Sequence, residues 1–400
     1  MGRKLLILAC LAAAGCGQGE QTTGDTENSD SSITSTSRLT VKLGYGFACV
    51  LDPGQGVYCW GANGGGQLGQ APSKLNGPAG LNASDVPVFV EGTEDALSLS
   101  VGDGHACVLT STDVLCWGAN GADQIGTSGA VDTCYNIVLD SDAGYMDMPC
   151  QPTPTSLGVG KQTWLSAGGE ATCVGDGVVT TCRGSAAYRF SSMSDLTSIS
   201  MSSDSVCGLT HAGKLKCDGS PSPDEYGVVQ TLAPIESFVL GGGTNICAIT
   251  VGGALQCWGD SNSSGELGAG HTEIVNPWET TTPVKLALKV AAGSGHFCAL
   301  SNGGAVHCWG RNGDGQIGIP APVFVGVEMT DPESFELPEG RCATGPCEPE
   351  IVLVDGIGIA TSIAAGGESS CAVTEDRQVK CWGRLVGTSV PTVIVGPWSP

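Results

Sequence analysis

Seven times along the chain, a run of alternating apolar and polar residues is bracketed by two cysteines and broken at its centre by small or polar residues. The clearest copies are CVLDPGQGVYCWGANGGGQLG from Cys49, CVLTSTDVLCWGANGADQIG from Cys107, CAITVGGALQCWGDSNSSGELG from Cys247, CALSNGGAVHCWGRNGDGQIG from Cys298 and CAVTEDRQVKCWGR from Cys371. CVGDGVVTTCRG from Cys173 and CGLTHAGKLKCDG from Cys207 are weaker copies. Alternation around a turn predicts a β-hairpin. Pairing Cys247 with Cys257 sets Ile249 opposite Leu255 and leaves the turn Val251-Gly252-Gly253, whereas pairing Cys107 with Cys116 sets Leu109 opposite Val114 and leaves Ser111-Thr112. Both are ordinary hairpin loops, so the one-residue difference in spacing is absorbed by the turn. Opposed residues of a non-hydrogen-bonded pair lie about 4.5 Å apart at Cα, within reach of a disulfide. The expected staples are Cys49–Cys59, Cys107–Cys116, Cys173–Cys182, Cys207–Cys217, Cys247–Cys257, Cys298–Cys308 and Cys371–Cys381.

Two further apolar stretches precede most hairpins, as in VPVFVEG and ALSLSVGDG before Cys107 or TTPVKLAL and KVAAGSG before Cys298. Two strands plus a hairpin make a four-stranded antiparallel sheet, the blade of a propeller. The first cysteines lie 58, 66, 34, 40, 51 and 73 residues apart, in the range of propeller repeats. A tryptophan follows the second cysteine at Trp60, Trp117, Trp258, Trp309 and Trp382, on the opposite face of its strand, and is expected to pack blade against blade. Only one strand, SRLTVKL, precedes the first hairpin, and VPTVIVG follows the last. The C-terminal strand is therefore expected to complete the first blade and close the ring.

The segment GSGHFCALSNGGAVHCWGRNGDGQIG from Gly293 closely resembles the repeat of the regulator of chromosome condensation family, and the resemblance runs over about residues 38–400. It implies an all-β, seven-bladed propeller, in agreement with the seven hairpins. The added cysteines resemble those of exported bacterial members. Units three and four depart from the pattern, with Arg183 and Asp218 where tryptophan is usual. The resemblance also brings the exchange-factor activity of eukaryotic relatives toward a nuclear GTPase and, among exported members, inhibition of a β-lactamase.

Composition narrows these readings. With 62 glycines and 20 cysteines in 400 residues, the chain is neither a solvated coil nor suited to a reducing compartment. A net charge of −23 disfavours nucleic acid and anionic lipid surfaces. Residues 1–16 carry Arg3 and Lys4, an apolar run too short to span a bilayer, and Ala13-Ala14-Gly15-Cys16, which resembles a lipobox with Cys16 as the acylated residue. Residues 17–37 form a polar tether and 38–400 the propeller. The expected location is the bacterial cell envelope, by lipid anchor, with the outer membrane favoured over the inner, or secretion. These features contradict the nuclear exchange-factor reading.

Two insertions bring further cysteine pairs, Cys134 with Cys150 and Cys342 with Cys347, each ending in Pro-Cys-x-Pro. Their acids, Asp132, Asp140, Asp142 and Asp147 in one and Glu328 to Glu339 in the other, lack a calcium-loop pattern and read as solvated surface. Of the five histidines, His105 and His296 share one repeat position and read as structural. No hydrolase, zinc or nucleotide motif is present, so no catalytic residue, metal or cofactor is assigned and an enzyme is not expected. The expected function is a monomeric binding scaffold for a protein or glycan of the envelope, with inhibition of a secreted or periplasmic enzyme as its narrower form and a propeller-supported enzyme as the less favoured alternative. Units three and four gather Arg183, Tyr188, Arg189, Phe190 and Tyr226, residue types favoured at interface hot spots, as candidate partner contacts.

Overall fold

The structure is a computed structural model. It describes residues 38–72, 83–126, 132–137, 145–185, 195–202, 205–218, 228–229, 233–242, 244–273, 284, 286–321, 341–342 and 345–399, with the side chains of 135–137, 145–147, 228–229 and 341–346 excepted. Cys16, Tyr188, Arg189, Phe190, Tyr226, Asp140, Asp142 and the acidic run from Glu328 to Glu339 lie outside the described residues, as do the side chains of Asp147 and Cys342.

Residues from Ser37 onward form a seven-bladed propeller of antiparallel sheets. Blade 1 comprises Thr40–Leu43, Phe47–Asp52, Gly56–Ala62 and Ala83–Val90, paired in that order from the inside outward. The hairpins of blades 2 to 7 are His105–Leu109 with Val114–Ala119, Ala171–Gly175 with Thr180–Gly184, Val206–Thr210 with Leu215–Asp218, Ile246–Thr250 with Leu255–Trp258, His296–Ser301 with Val306–Arg311, and Ser369–Thr374 with Val379–Gly383. Their register matches the alternation in the sequence: Leu109 faces Val114, Ile249 faces Leu255, and the two cysteines of each hairpin are directly opposed. All seven hairpin pairs are disulfides, with Cα atoms 4.0–4.1 Å apart.

The assignment of strands to blades differs from the expectation. The two apolar stretches before a hairpin belong to different blades: Ala83–Val90 is the outer strand of blade 1, and only Ser98–Val101 begins blade 2. Each blade is thus built from strands contiguous in sequence. The last strand, Thr388–Ile394, pairs with Val379–Gly383 and completes blade 7, so it does not complete blade 1. Blade 1 already has its four strands because the chain enters along the inside of its own blade. Packing closes the ring instead: Leu39, Val41, Leu43 and Trp60 of blade 1 share a buried cluster with Ala364, Val373, Val379, Ile394 and Trp398.

The insertions are also sheet. Tyr145–Ser156 and Gly345–Leu353 are the fourth strands of blades 2 and 6, with Asp132–Ile137 and Arg341–Cys342 outside them as fifth strands. The disulfide Cys134–Cys150 ties the two outermost strands of blade 2, and Cys347 is disulfide-bonded.

Candidate functional site

The propeller has two unlike faces. At one, tight turns join each innermost strand to the next, and backbone hydrogen bonds pass from blade to blade round the mouth: Tyr45 to Asp103, Asp103 to Gly169, Gly242 to Gly293 and Ser294 to Gly367. At the other lie the hairpin tips and the starts of the innermost strands. Here Leu97, Val178, Val251, Leu286, Leu288 and Ile359, from five of the seven blades, are all more than half exposed.

The innermost strands enclose a central cavity of about 410 Å³ reaching from Lys42 to the turn mouth, where Asp103 stands. Burial and then the charge of Glu170 hold the Asp103 carboxyl above its ordinary value. Serines tie each innermost strand to the backbone of the next: Ser100 Oγ accepts from Ala167 N–H, Ser200 Oγ accepts from Leu240 N–H, and Ser166 Oγ donates to the Ile199 carbonyl. Lys42 occupies the same register as these serines, opposite the first cysteine of its hairpin. Lys289, two residues nearer the hairpin tips in register, donates to Ser362 Oγ at 3.1 Å. Both side chains reach solvent, and partial desolvation among the inner strands, reinforced by Lys289 at Lys42 and by Arg38 at Lys289, lowers their affinity for a proton.

Between blades the contacts repeat. The five tryptophans singled out in the sequence are at most 2% exposed, and each lies against the disulfide hairpin of the blade before it, as Trp309 does against Cys247, Ile249 and Cys257. The loop after each tryptophan, where it keeps the full pattern, is locked by a buried asparagine and glutamine. Asn63 Oδ1 accepts from Leu68 N–H and Gln67 Oε1 from Gly65 N–H, and Asn120 with Gln124 repeats the arrangement. Glu266 replaces the glutamine in blade 5, and burial pushes its carboxyl up. The locked loop then presents a carbonyl to the next blade: Trp117 Nε1 donates to Gln67, Trp309 Nε1 to Glu266 and Trp382 Nε1 to Gln316. Trp60 and Trp258 follow blades 7 and 4, which lack the motif, and their Nε1 atoms are unpartnered.

His105 and His296 are fully buried and bond across blades, Nε2 lying 2.8 Å from Thr172 Oγ1 and Ser370 Oγ respectively. Burial lowers both to about 4, so the rings are neutral at ordinary pH. They are fasteners rather than bases. Among the described residues, no group of three His, Cys, Asp or Glu side chains is placed to hold a metal ion.

Residues 56–109, 288–316 and 360–384 match the regulator of chromosome condensation (RCC1) repeat. Over those stretches the chain carries RCC1 repeats. It is 30% identical over 187 residues to human E3 ubiquitin-protein ligase HERC2, covering 44% of this chain and 3% of that protein. It is 35% identical over 149 residues to protein pim1 of Schizosaccharomyces pombe, covering 36% and 24%. The matches therefore span under a quarter of the length of those relatives. The fold resembles the crystal structure of Prp20p from Saccharomyces cerevisiae, described with its binding to Gsp1p and histones, with a TM-score of 0.60 and 18% identity over 91% of this chain and 87% of that one. The match 56–109 straddles blades 1 and 2, so the RCC1 sequence repeat is offset from the structural blade.

The departures from the RCC1 repeat are now intelligible. Arg183, in the tryptophan slot of blade 3, donates from Nη1 to the Gly126 carbonyl at 2.8 Å and from Nη2 to the Leu157 carbonyl at 3.2 Å. It replaces the tryptophan's hydrogen bond to the preceding loop, so among the candidate partner contacts Arg183 has an internal structural role. Asp218, in the same slot of blade 4, is exposed. Sequence reasoning missed the hairpin-tip face and the place of Lys42. The exposed apolar residues stand at turns and strand starts, outside the alternation that marks strands.

Proposed function

We propose that this protein is a binding scaffold whose hairpin-tip face docks a protein partner, and that Cys16 anchors it by lipid in a bacterial cell envelope. The observation that carries the docking reading is the arc of exposed leucine, isoleucine and valine on that face, since apolar side chains gathered on one surface mark interaction sites. The likeness to Prp20p, which binds proteins, supports a protein over a glycan. A partner surface that is apolar with a basic rim suits a chain of net charge −23. The disulfides suit an oxidising compartment, in keeping with the export signal. A monomer presents this face free.

The test is affinity for a partner isolated by cross-linking from the envelope. Replacing Leu97, Val251 and Leu286 by aspartate should weaken binding roughly a hundredfold or more, with folding unchanged, because interface energy concentrates in a few desolvated side chains. Unchanged affinity would remove this face. Separately, Cys16→Ser should release the protein from detergent-extracted membranes into the soluble fraction; equal partition of both forms would end the lipid reading.

A further inference from the structure

Asparagine is followed by glycine at Asn63, Asn76, Asn120, Asn302 and Asn312. Asn76 lies outside the described residues, and the other four divide by environment. Asn63, Asn120 and Asn312 head the locked loops and are at most 5% exposed. In each, the side-chain oxygen accepts a backbone N–H, from Leu68, Ile125 and Ile317, and the Asn63 and Asn312 amide nitrogens donate to the carbonyls of Gln70 and Ile319. Asn302 stands instead at the hairpin tip of blade 6, exposed, with Gly303 exposed beside it. Gly304 N–H donates to the Ser301 carbonyl at 3.0 Å and Ser301 N–H to the Ala305 carbonyl at 2.9 Å, with Gly304 at φ 78°, as in a three-residue hairpin loop. That turn uses neither the Asn302 side chain nor the Gly303 N–H, and among the described residues neither has a hydrogen-bond partner.

We propose that Asn302 is a site of spontaneous covalent modification, where the side-chain amide is exchanged for a carboxylate by water. The Gly303 nitrogen attacks Asn302 Cγ and closes a succinimide; the Cγ–N bond of the amide breaks, and the amide leaves as ammonia with the proton that Gly303 gives up. Water then opens one imide C–N bond. Opening at Cγ gives aspartate, and opening at the Asn302 carbonyl carbon gives isoaspartate, with the main chain rerouted through the side chain. One water enters and one ammonia leaves, so no other reactant is required. Glycine has no Cβ to shield the attacking nitrogen, and nothing lies within 4 Å of where a Gly303 Cβ would stand, so the approach is open. In the locked loops the amide is buried and held, and the same reaction must wait for local opening. Asn302 N–H donates to the Leu286 carbonyl at 2.9 Å, so either product sets a negative charge beside an exposed leucine of the hairpin-tip face. On the docking reading that charge enters the interface; the chemistry itself is independent of that reading.

Peptide mapping by mass spectrometry tests this, on the full chain with its disulfides intact, after incubation at mildly alkaline pH. Asn302 should convert roughly tenfold or more faster than Asn63, Asn120 and Asn312, because the hydrogen bonds that hold a locked amide must first be broken. After reduction and denaturation the four sites should convert at similar rates, since only the Asn-Gly sequence then remains. Gly303→Ala should slow conversion of Asn302 in the folded protein, its methyl shielding the nitrogen, and the open space at that position lets the fold accept it. None of these readouts involves a partner, so their failure is distinct from failure of the docking face. Folded protein in which Asn302 keeps its amide while the unfolded chain loses it, or in which the four sites convert alike, overturns the site; a rate unchanged by Gly303→Ala overturns the succinimide route.

Discussion

At the scale of single residues, the repeat uses polar side chains as fasteners between blades, and His105 and His296 make this measurable. Their folded-state value of about 4 lies below the ordinary 6.5. Below pH 6.5 the unfolded chain takes up protons that the folded protein refuses, so stability present above that pH is lost as pH falls toward 4, with no further loss from these groups below it. The loss should reach about 3 kcal/mol per histidine at most, and His105→Gln with His296→Gln should flatten the dependence of Tm on pH between 4 and 6.5. The glycine three residues earlier is part of the fastener: a Cβ at Gly102 or Gly293 would fall 2.3 or 2.1 Å from the imidazole. Arg183 makes a second test. Arg183→Ala should cost about 1–3 kcal/mol by leaving two carbonyls without their donor, and Arg183→Trp should recover part of it, as read by denaturant midpoint.

At the scale of the element, the stapled hairpin is a local device with a non-local purpose. Each disulfide closes a loop of about ten residues, contributing up to about 3 kcal/mol, chiefly through the unfolded state. It also forms the wall against which the tryptophan of the next blade packs, as Cys298 and Cys308 do for Trp382. Removing Cys298 and Cys308 together as alanines should therefore lower stability by more than removing Cys134 and Cys150, whose bridge joins the two outermost strands of blade 2. Differential scanning calorimetry of the two variants under oxidising conditions checks the order. The glycine after the tryptophan has its own reason: Gly61, Gly118, Gly310 and Gly383 have φ of 93° to 111°, and a Cβ at Gly118 would lie 2.6 Å from the Gly104 carbonyl oxygen.

At the scale of the whole molecule, the seam between blades 7 and 1 differs from the others. Blade 7 lacks the locked loop, and Trp398 covers Trp60 instead, with ring centroids 6.3 Å apart and Tyr58 5.5 Å from the same indole. Across the hairpin tips, Arg377 Nη2 reaches both oxygens of Asp52 at 3.0 and 3.1 Å. These partners are 325 residues apart in sequence, so the seam joins the first blade to the last. Trp398→Ala should cost about 3–5 kcal/mol, and limited proteolysis should then cut first in blade 1 or blade 7. Arg377→Ala, which takes this partner from the buried Asp52 carboxylate, should cost about 1–3 kcal/mol.

The sequence alone determined the hairpins, their register, their cysteine pairing and the buried tryptophans, because each depends on residues ten or fewer positions apart and on a period of two. The blade count followed from repetition. It could not determine which blade owns an outer strand: VPVFVEG reads the same whether it pairs backward or forward, and only the sheet decides. The closure of the ring was misplaced for that reason. Trp398 and the Asp52–Arg377 pair were invisible because their partners lie at the other end of the chain. The place of Lys42 was invisible for a subtler reason. It is unremarkable in a list of 17 basic residues, and its position on the wall of the central cavity, in a register that serine fills in three other blades, emerges only when the innermost strands are laid side by side around a common axis.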